Sequence, residues 1–293
     1  MTIKEALKYG YKELGASRLL DAEALLSFAL KKDKEFLFTY PEKDVSPAVW
    51  KKFKRLIERR CGNEPTAYLT RHKEFFGLDF LVDKNTLIPR PETEMMAQEA
   101  IDRIKNRESG IGNKKIILID VGAGSGYVPI AIAKNINAKK VKFFAVDISS
   151  GALKTAEKNA RRHKVKIKFL QSDLLSKLIH NSKFLLPDSY CLITANLPYL
   201  SRKIWQKAGP DVKNFEPKTA LVSAENGLKH YRLLLQQIKT AGPKQTTALL
   251  EIDPSQKNKI SKLGKKILPA ARLVIKKDLS QKERLVIADL SAG

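Results

Sequence analysis

Apolar side chains recur at three- and four-residue steps through the first sixty residues, at Leu7, Leu14, Leu19, Leu20, Ala24, Leu25, Phe28 and Ala29. That period predicts packed helices. Asp21-Ala-Glu23 puts negative charge at a helix start, where the macrodipole favours it. Ser46-Pro47 reads as the N-cap and first residue of a further helix running to about Arg60. From Glu74 the period changes. Phe75-Phe-Gly-Leu-Asp-Phe-Leu-Val82, aromatic-rich with a central Gly, predicts a hairpin. Thr86-Leu-Ile-Pro-Arg-Pro-Glu-Thr-Glu94 carries two prolines that exclude helix and sheet interiors, so it reads as an ordered linker ending at a helix start.

After Lys114, strand-like runs fall at 116–120, 141–147, 166–170, 190–195, 247–252 and 272–276. Helical stretches at 128–134, 150–162 and 227–240 intervene. Such alternation predicts right-handed crossovers and a doubly wound, mainly parallel sheet. The connection Lys277–Lys282 between the runs at Leu273 and Leu285 is too short for a crossover, so the last strand is expected to be antiparallel. The fold class is therefore α/β: an N-terminal helical bundle over 1–72, a hairpin and proline-rich linker over 73–92, and the sheet domain over 93–293.

Composition narrows the picture. The 293 residues are 43% hydrophobic, enough for a sizeable core. The opening Met1-Thr-Ile-Lys-Glu-Ala-Leu-Lys has no apolar signal core, and no apolar stretch is long enough to span a membrane, so a cytoplasmic protein is expected. Cys61 and Cys191 form no metal-ligand spacing and read as buried small apolar residues. The scattered His72, His163, His180 and His230 form no metal or triad spacing, and no metal site is expected. The net charge of +24 suits nucleic acid or an acidic partner, or a lysine-rich solvated surface. Residues 1–80 hold 16 basic and 12 acidic side chains, so only +4 of it lies there. The dense run Lys154–Lys168 reads as a solvated helix end and loop.

Two motifs carry chemistry. Asp120-Val-Gly-Ala-Gly-Ser-Gly126 closes the first sheet strand, where glycines let backbone approach a nucleotide-like ligand. Its third Gly comes one residue too early for the dinucleotide fingerprint, and an acid precedes it. Asp147 ends the second strand, where a carboxylate can accept both ribose hydroxyls, and Gln171-Ser172-Asp173 follows the third, within reach of an adenine amine. An acidic, glycine-rich adenosine site suits S-adenosylmethionine, whose ammonium and sulfonium are both positive. The expected cofactor set is Asp120, Gly122, Ala123, Gly124, Ser125, Gly126, Asp147, Asp173, Leu174 and Asn196.

The second motif is Asn196-Leu197-Pro198-Tyr199, at the carboxyl end of the apolar run from Tyr190. The Asn196 side-chain carbonyl can accept one N–H of a planar NH2 group, and the Leu197 backbone carbonyl the other. Pro198 fixes the turn that aims both oxygens, and Tyr199 can pack on the planar group. Such a clamp aligns a poor nucleophile for methylation by proximity, without a strong base.

On these residues the chain resembles the peptide chain release factor N5-glutamine methyltransferases. The matching stretches are Asp21-Ala-Glu23, Arg59-Arg60, Glu64-Pro-x-Ala-Tyr-Leu-Thr70, Glu74-Phe-Phe, Thr86-Leu-Ile-Pro-Arg-Pro-Glu-Thr-Glu94, the glycine turn, Ala145-Val-Asp147, Gln171-Ser-Asp173, Asn196, Phe215-Glu-Pro-x-Thr-Ala-Leu221 and Glu283-Arg284. The resemblance implies a class I S-adenosylmethionine-dependent methyltransferase, with an N-terminal helical domain that docks the release factor. It implies, as acceptor, the glutamine of the factor's Gly-Gly-Gln loop. Arg90, Glu92, Phe215 and Glu216 either line the acceptor's channel or, for the linker pair, clamp the domains together.

The family pattern is Asn-Pro-Pro-Tyr, and Leu197 stands where it has Pro. Asn-Leu-Pro-Tyr is similar to the motif of ribosomal RNA adenine dimethyltransferases, which makes RNA methylation on an adenine amine the rival reading. Those enzymes carry their helical domain at the other end, and the charge excess here spares the N-terminal domain. A non-catalytic binding module is the third reading, opposed by the presence of every acceptor and cofactor group. Nucleic acid is not required on the leading reading, nor is a membrane.

Overall fold

A computed structural model describes residues 1–108, 115–180, 189–241, 243 and 245–290. The chain divides into two compact units: Met1–His72 with Ala208–Phe215, and Lys73–Lys207 with the residues from Glu216 onward.

The first unit is built on the helices Ile3–Leu14, Leu19–Leu30, Lys34–Thr39, Pro47–Cys61 and Thr66–Thr70. Thr2 opens the first with a capping box: its hydroxyl accepts from the Glu5 amide at 3.2 Å, and the Thr2 amide donates to the Glu5 carboxylate at 2.8 Å. Ser46 caps Pro47–Cys61 as its sequence predicts. Ile3, Leu7, Leu25, Leu26, Leu37, Phe53 and Ile57 meet in one apolar core. Polar ties cross it. Asp21 accepts from Arg60 Nε at 2.7 Å and from the Thr66 hydroxyl at 2.8 Å, and Arg59 grips Glu64 with two hydrogen bonds. Cys61 is exposed, contrary to expectation: it closes its helix, one residue past Arg60, the last residue on the buried stripe of Phe53, Leu56 and Ile57.

From Lys73 the second unit holds all but the first residue of strand β1 (His72–Phe75) and the whole of β2 (Leu78–Leu81), joined through Phe76 and Gly77, both at positive φ. Seven further strands follow: β3 (Ile116–Val121), β4 (Val141–Asp147), β5 (Lys168–Gln171), β6 (Tyr190–Ala195), β7 (Thr246–Glu251), β8 (Arg272–Lys277) and β9 (Glu283–Asp289). They form one sheet in the order β5-β4-β3-β6-β7-β9-β8, parallel from β5 to β7, with β9 antiparallel to both neighbours. The reversal in strand order lies between β3 and β6, so the carboxyl ends of those strands open the crevice where such sheets bind ligands.

Strand alternation divides the core. Ile117, Ile119 and Val121 pack with Tyr231, Leu234, Leu235 and Ile238 of the helix Lys229–Ala241 on one face. Ile116 and Leu118 pack with Ala97, Ala100, Ile101 and Ile104 of the helix Glu94–Glu108 on the other. β3, β6 and β7 are buried throughout, as central parallel strands between two helical layers require.

Two of the boundaries that differ from the sequence pattern follow residues at positive φ. β5 starts at Lys168 rather than 166, because Lys164 takes a left-handed conformation after the helix Ser150–Arg162. The helix expected from Gly227 starts at Lys229, because Glu225, Asn226 and Gly227 all have positive φ.

Candidate active site

A cavity of about 280 Å³ opens at the carboxyl ends of β3, β4, β5 and β6. Gly122, Gly124, Asp147, Asp173, Leu174 and Asn196, all expected in the cofactor set, line it with Leu197 and Pro198. Gly122 sits at φ +79°, and a Cβ there would stand 3.2 Å from Leu197 Cδ2 and 3.6 Å from the Asn196 carbonyl. Only a glycine combines that backbone with so close an approach of the two motifs. Ala123, Ser125 and Gly126 lie buried in the turn and do not line the cavity.

Asp120 also departs from its expected place. The parallel register sets it beside Thr194, whose hydroxyl donates to it at 2.6 Å, and it is 3% exposed, away from the cavity wall. Burial pushes its pKa up to about 7 against the Thr194 hydrogen bond. Asp147 is half-buried at the end of β4 and accepts from the Gly124 and Ser149 amides, each at 2.8 Å. Burial raises its pKa, and those amides oppose the rise. Two oxygens offer about four acceptor positions, so the carboxylate keeps capacity for ligand hydroxyls.

The chemistry of the lining suits a cationic ligand with an apolar ring. Asp147 and Asp173 contribute carboxylates, while Ile148, 65% exposed, and Leu174 present aliphatic surface to the same cavity. The exposed Ile148 was not singled out from sequence, although its place directly after the strand-ending acid is a usable signal.

Asn196 donates through Nδ2 to the Thr93 hydroxyl at 3.1 Å and the Tyr127 hydroxyl at 3.4 Å. Both bonds use the amide nitrogen and leave Oδ1 to face other partners. The Tyr231 hydroxyl lies against the Glu251 carbonyl and 3.4 Å from the Leu197 carbonyl. Its one proton goes to the nearer Glu251, so the Leu197 oxygen keeps its acceptor capacity. Tyr199 is held by its backbone: Gln256 Nε2 donates to its carbonyl at 2.9 Å, and Gly227 packs so closely that a Cβ would fall 1.9 Å from the same oxygen. His230, a scattered histidine with no role expected of it, lines the cavity and bonds through Nδ1 to Ser223 at 2.8 Å.

Two of the expected channel residues meet each other. Arg90 pairs with Glu216, whose other oxygen accepts from the Ile88 amide at 3.1 Å, so the two form a clamp within the second unit. Glu92 lines a different groove, with Met95 and Lys276. Phe215 belongs to the first unit. Tyr127, Tyr231 and Glu251 each sit in an ordinary strand or helix pattern and Thr93 in the proline-rich linker, and only the packing brings the four to the Asn196–Tyr199 motif.

This sheet order, with its glycine turn and its acid at the next strand end, defines a methyltransferase, and residues 113–248 match the family model described as a methyltransferase domain. Residues 5–70 match the model described as the PrmC N-terminal domain. The release factor glutamine methyltransferase of Koribacter versatilis is 38% identical over 242 residues, covering 81% of each chain. That of Dictyoglomus turgidum is 33% identical across 92% of this chain and 90% of its own, and that of Bacillus anthracis 28% across 99% and 100%. The chain belongs to the release factor glutamine methyltransferase family. Among solved structures, the hMettl16 catalytic domain, in complex with an RNA hairpin, shares the fold at a TM-score of 0.56 and 14% identity over 81% of this chain and 82% of its own. Among the described residues, no helix is long and apolar enough to cross a membrane, and no cluster of His, Cys, Asp and Glu could hold a metal ion.

Proposed function

We propose that the second unit binds S-adenosylmethionine and that the chain methylates the side-chain amide nitrogen of the glutamine in the Gly-Gly-Gln loop of a peptide chain release factor. When bound, S-adenosylmethionine supplies an electrophilic methyl group on a positively charged sulfur. Asp147 takes the ribose hydroxyls, Ile148 and Leu174 supply apolar walls for the adenine, and Gly122 and Gly124 let the backbone approach. Asn196 Oδ1 and the Leu197 carbonyl accept the two N–H groups of the acceptor amide, which turns the nitrogen lone pair outward. Pro198 fixes the turn, and Tyr199 covers the amide plane. Alignment carries the rate, and the product amide releases its proton to water.

The observation that carries this reading is the hydrogen bonding of Asn196, which engages Nδ2 on the protein side and leaves Oδ1 for an N–H donor. Leu197 serves as well as Pro, because its backbone oxygen is the working group. The first unit docks the release factor. We assign the reaction to the cytoplasm, and it requires no nucleic acid. RNA methylation on an adenine amine is not favoured by the curated relatives, which are named for release factors.

The test incubates the chain and labelled S-adenosylmethionine with a release factor, with its Gln-to-Ala variant, and with 30S ribosomal RNA. Label in the native factor alone is the expected result. Label in RNA but not in the factor overturns the reading.

A further inference from the structure

Glu251 is a buried acid that the transfer as described does not use. It ends β7, and Asn196 directly follows β6; the last register pair of these parallel strands is Ala195 with Leu250, so the two residues emerge side by side. Glu251 is 2% exposed, and its Oε2 is sealed from solvent without a hydrogen bond of good geometry. A buried carboxylate left in that state is costly unless something nearby needs it.

The need lies in the symmetry of a carboxamide. Its oxygen and NH2 ends have nearly the same shape, and the Thr93 and Tyr127 hydroxyls can each donate or accept. Those hydroxyls alone therefore do not decide which end of Asn196 turns inward. An ionised carboxylate only accepts. Thr93 is fully buried, and its hydroxyl favours the charged form of Glu251; an ionised Glu251 can take the threonine proton, which leaves the threonine oxygen to accept from Asn196 Nδ2. Thr93 and Asn196 are the two side chains whose hydrogen bonding favours the charged form of Glu251.

We propose that Glu251 is a positioning residue that fixes the Asn196 amide with Nδ2 inward and Oδ1 toward the acceptor. The inference rests on the acceptor role given to Asn196 above. It also predicts that protonating Glu251 releases the orientation. Burial pushes its pKa up to about 7; Arg284 of β9 favours the charged form and Glu92 of the linker opposes it. Tyr127, Tyr199 and Tyr231 are phenols held neutral around it, each with its pKa raised further by the Glu251 charge.

The test follows the Asn196 side-chain NH2 signals in protein labelled with 15N-asparagine, from pH 5.5 to 8.5, with Asn196→Asp for assignment. The signals should titrate with a midpoint near 7. Glu251→Gln, which keeps the shape, should abolish the titration, and Thr93→Val, which cuts the bridge but leaves Asn196 beside the acid, should reduce its amplitude. Asp120→Asn, the other buried acid with a pKa near 7, should leave it intact. In transfer to a release factor, Glu251→Gln should lower kcat about 10- to 100-fold, the weight of a hydrogen bond to a charged group, and flatten the pH profile. KM for S-adenosylmethionine should change by less than about twofold, since the lost bond is not to the donor. A flat Asn196 titration in the native chain overturns the inference. So does a Glu251→Gln enzyme with native kcat and pH profile. If the native chain methylates no release factor, the function reading fails by itself, and the titration still decides the role of Glu251.

Discussion

The two units use their polar residues in opposite ways. In the helical unit, the residues that carry the family resemblance satisfy one another: Asp21 with Arg60 and Thr66, and Arg59 with Glu64. In the sheet unit Arg90 and Glu216 also pair, but Asp147 and Asn196 stand at strand ends with acceptor capacity left over, and burial pushes the nearby acids Asp120 and Glu251 up to about 7. A pattern of polar residues in a sequence therefore does not separate scaffold from site. Whether the fold pairs them or leaves them in need does.

Mutation should break this contrast at the site most severely. Asn196→Ala removes the acceptor's hydrogen-bond oxygen and should lower kcat by about 10²- to 10³-fold, while calorimetric titration still shows S-adenosylmethionine binding. Unchanged turnover would remove the clamp from the mechanism.

Gly227→Ala comes next. A methyl group 1.9 Å from the Tyr199 carbonyl, at φ +89°, forces the Asn196–Tyr199 turn to move, and denaturant unfolding should show a loss of about 2–4 kcal/mol. Activity should fall with it, because the same carbonyl anchors the motif.

In the helical unit, Asp21→Ala should cost about 1–3 kcal/mol of that unit's stability by leaving Arg60 short of its partner. Methylation of a free Gly-Gly-Gln peptide should persist. Its loss at temperatures where the helices remain folded would show that Asp21 belongs to the site after all.

The remaining effect is a pH dependence. Asp120 holds its proton in the folded chain up to about pH 7, whereas its ordinary value is 3.8. The folded state thus binds more protons between about pH 4 and pH 7, so stability from this group falls as pH rises through that window and is level above it. Asp120→Asn should match the native chain near pH 4 and exceed it at pH 8 in urea unfolding. An equal difference at both values would place the cost elsewhere.

Much of this was legible in the sequence. The 3.6-residue period gave the bundle, the alternation after Lys114 the sheet, and the short Lys277–Lys282 connection the antiparallel end. Ser46-Pro47 marked its helix to the residue. Asp147, Asp173 and Asn196, expected together from their places in the sequence, line one cavity because strand ends in such a sheet converge. Other assignments required the fold. Asp120 precedes the glycine turn yet faces Thr194, a consequence of register that no local pattern carries. Cys61 is apolar in type but lies at a helix end that the core does not cover. Arg90 and Glu216, 126 residues apart, satisfy each other.

The sequence by itself determined the order of elements, the two motifs and the class of acceptor they suit, because periodicity, turn chemistry and side-chain functional groups are local properties. The tertiary structure alone decided which polar groups became partners and which were left buried and unsatisfied. That outcome depends on parallel register and helix packing, which set Thr93, Tyr127, Asn196 and Glu251 together from four separate parts of the chain. Desolvation, which raises the pKa values of Tyr127 and Glu251 in that cluster, exists only once the chain has closed around it.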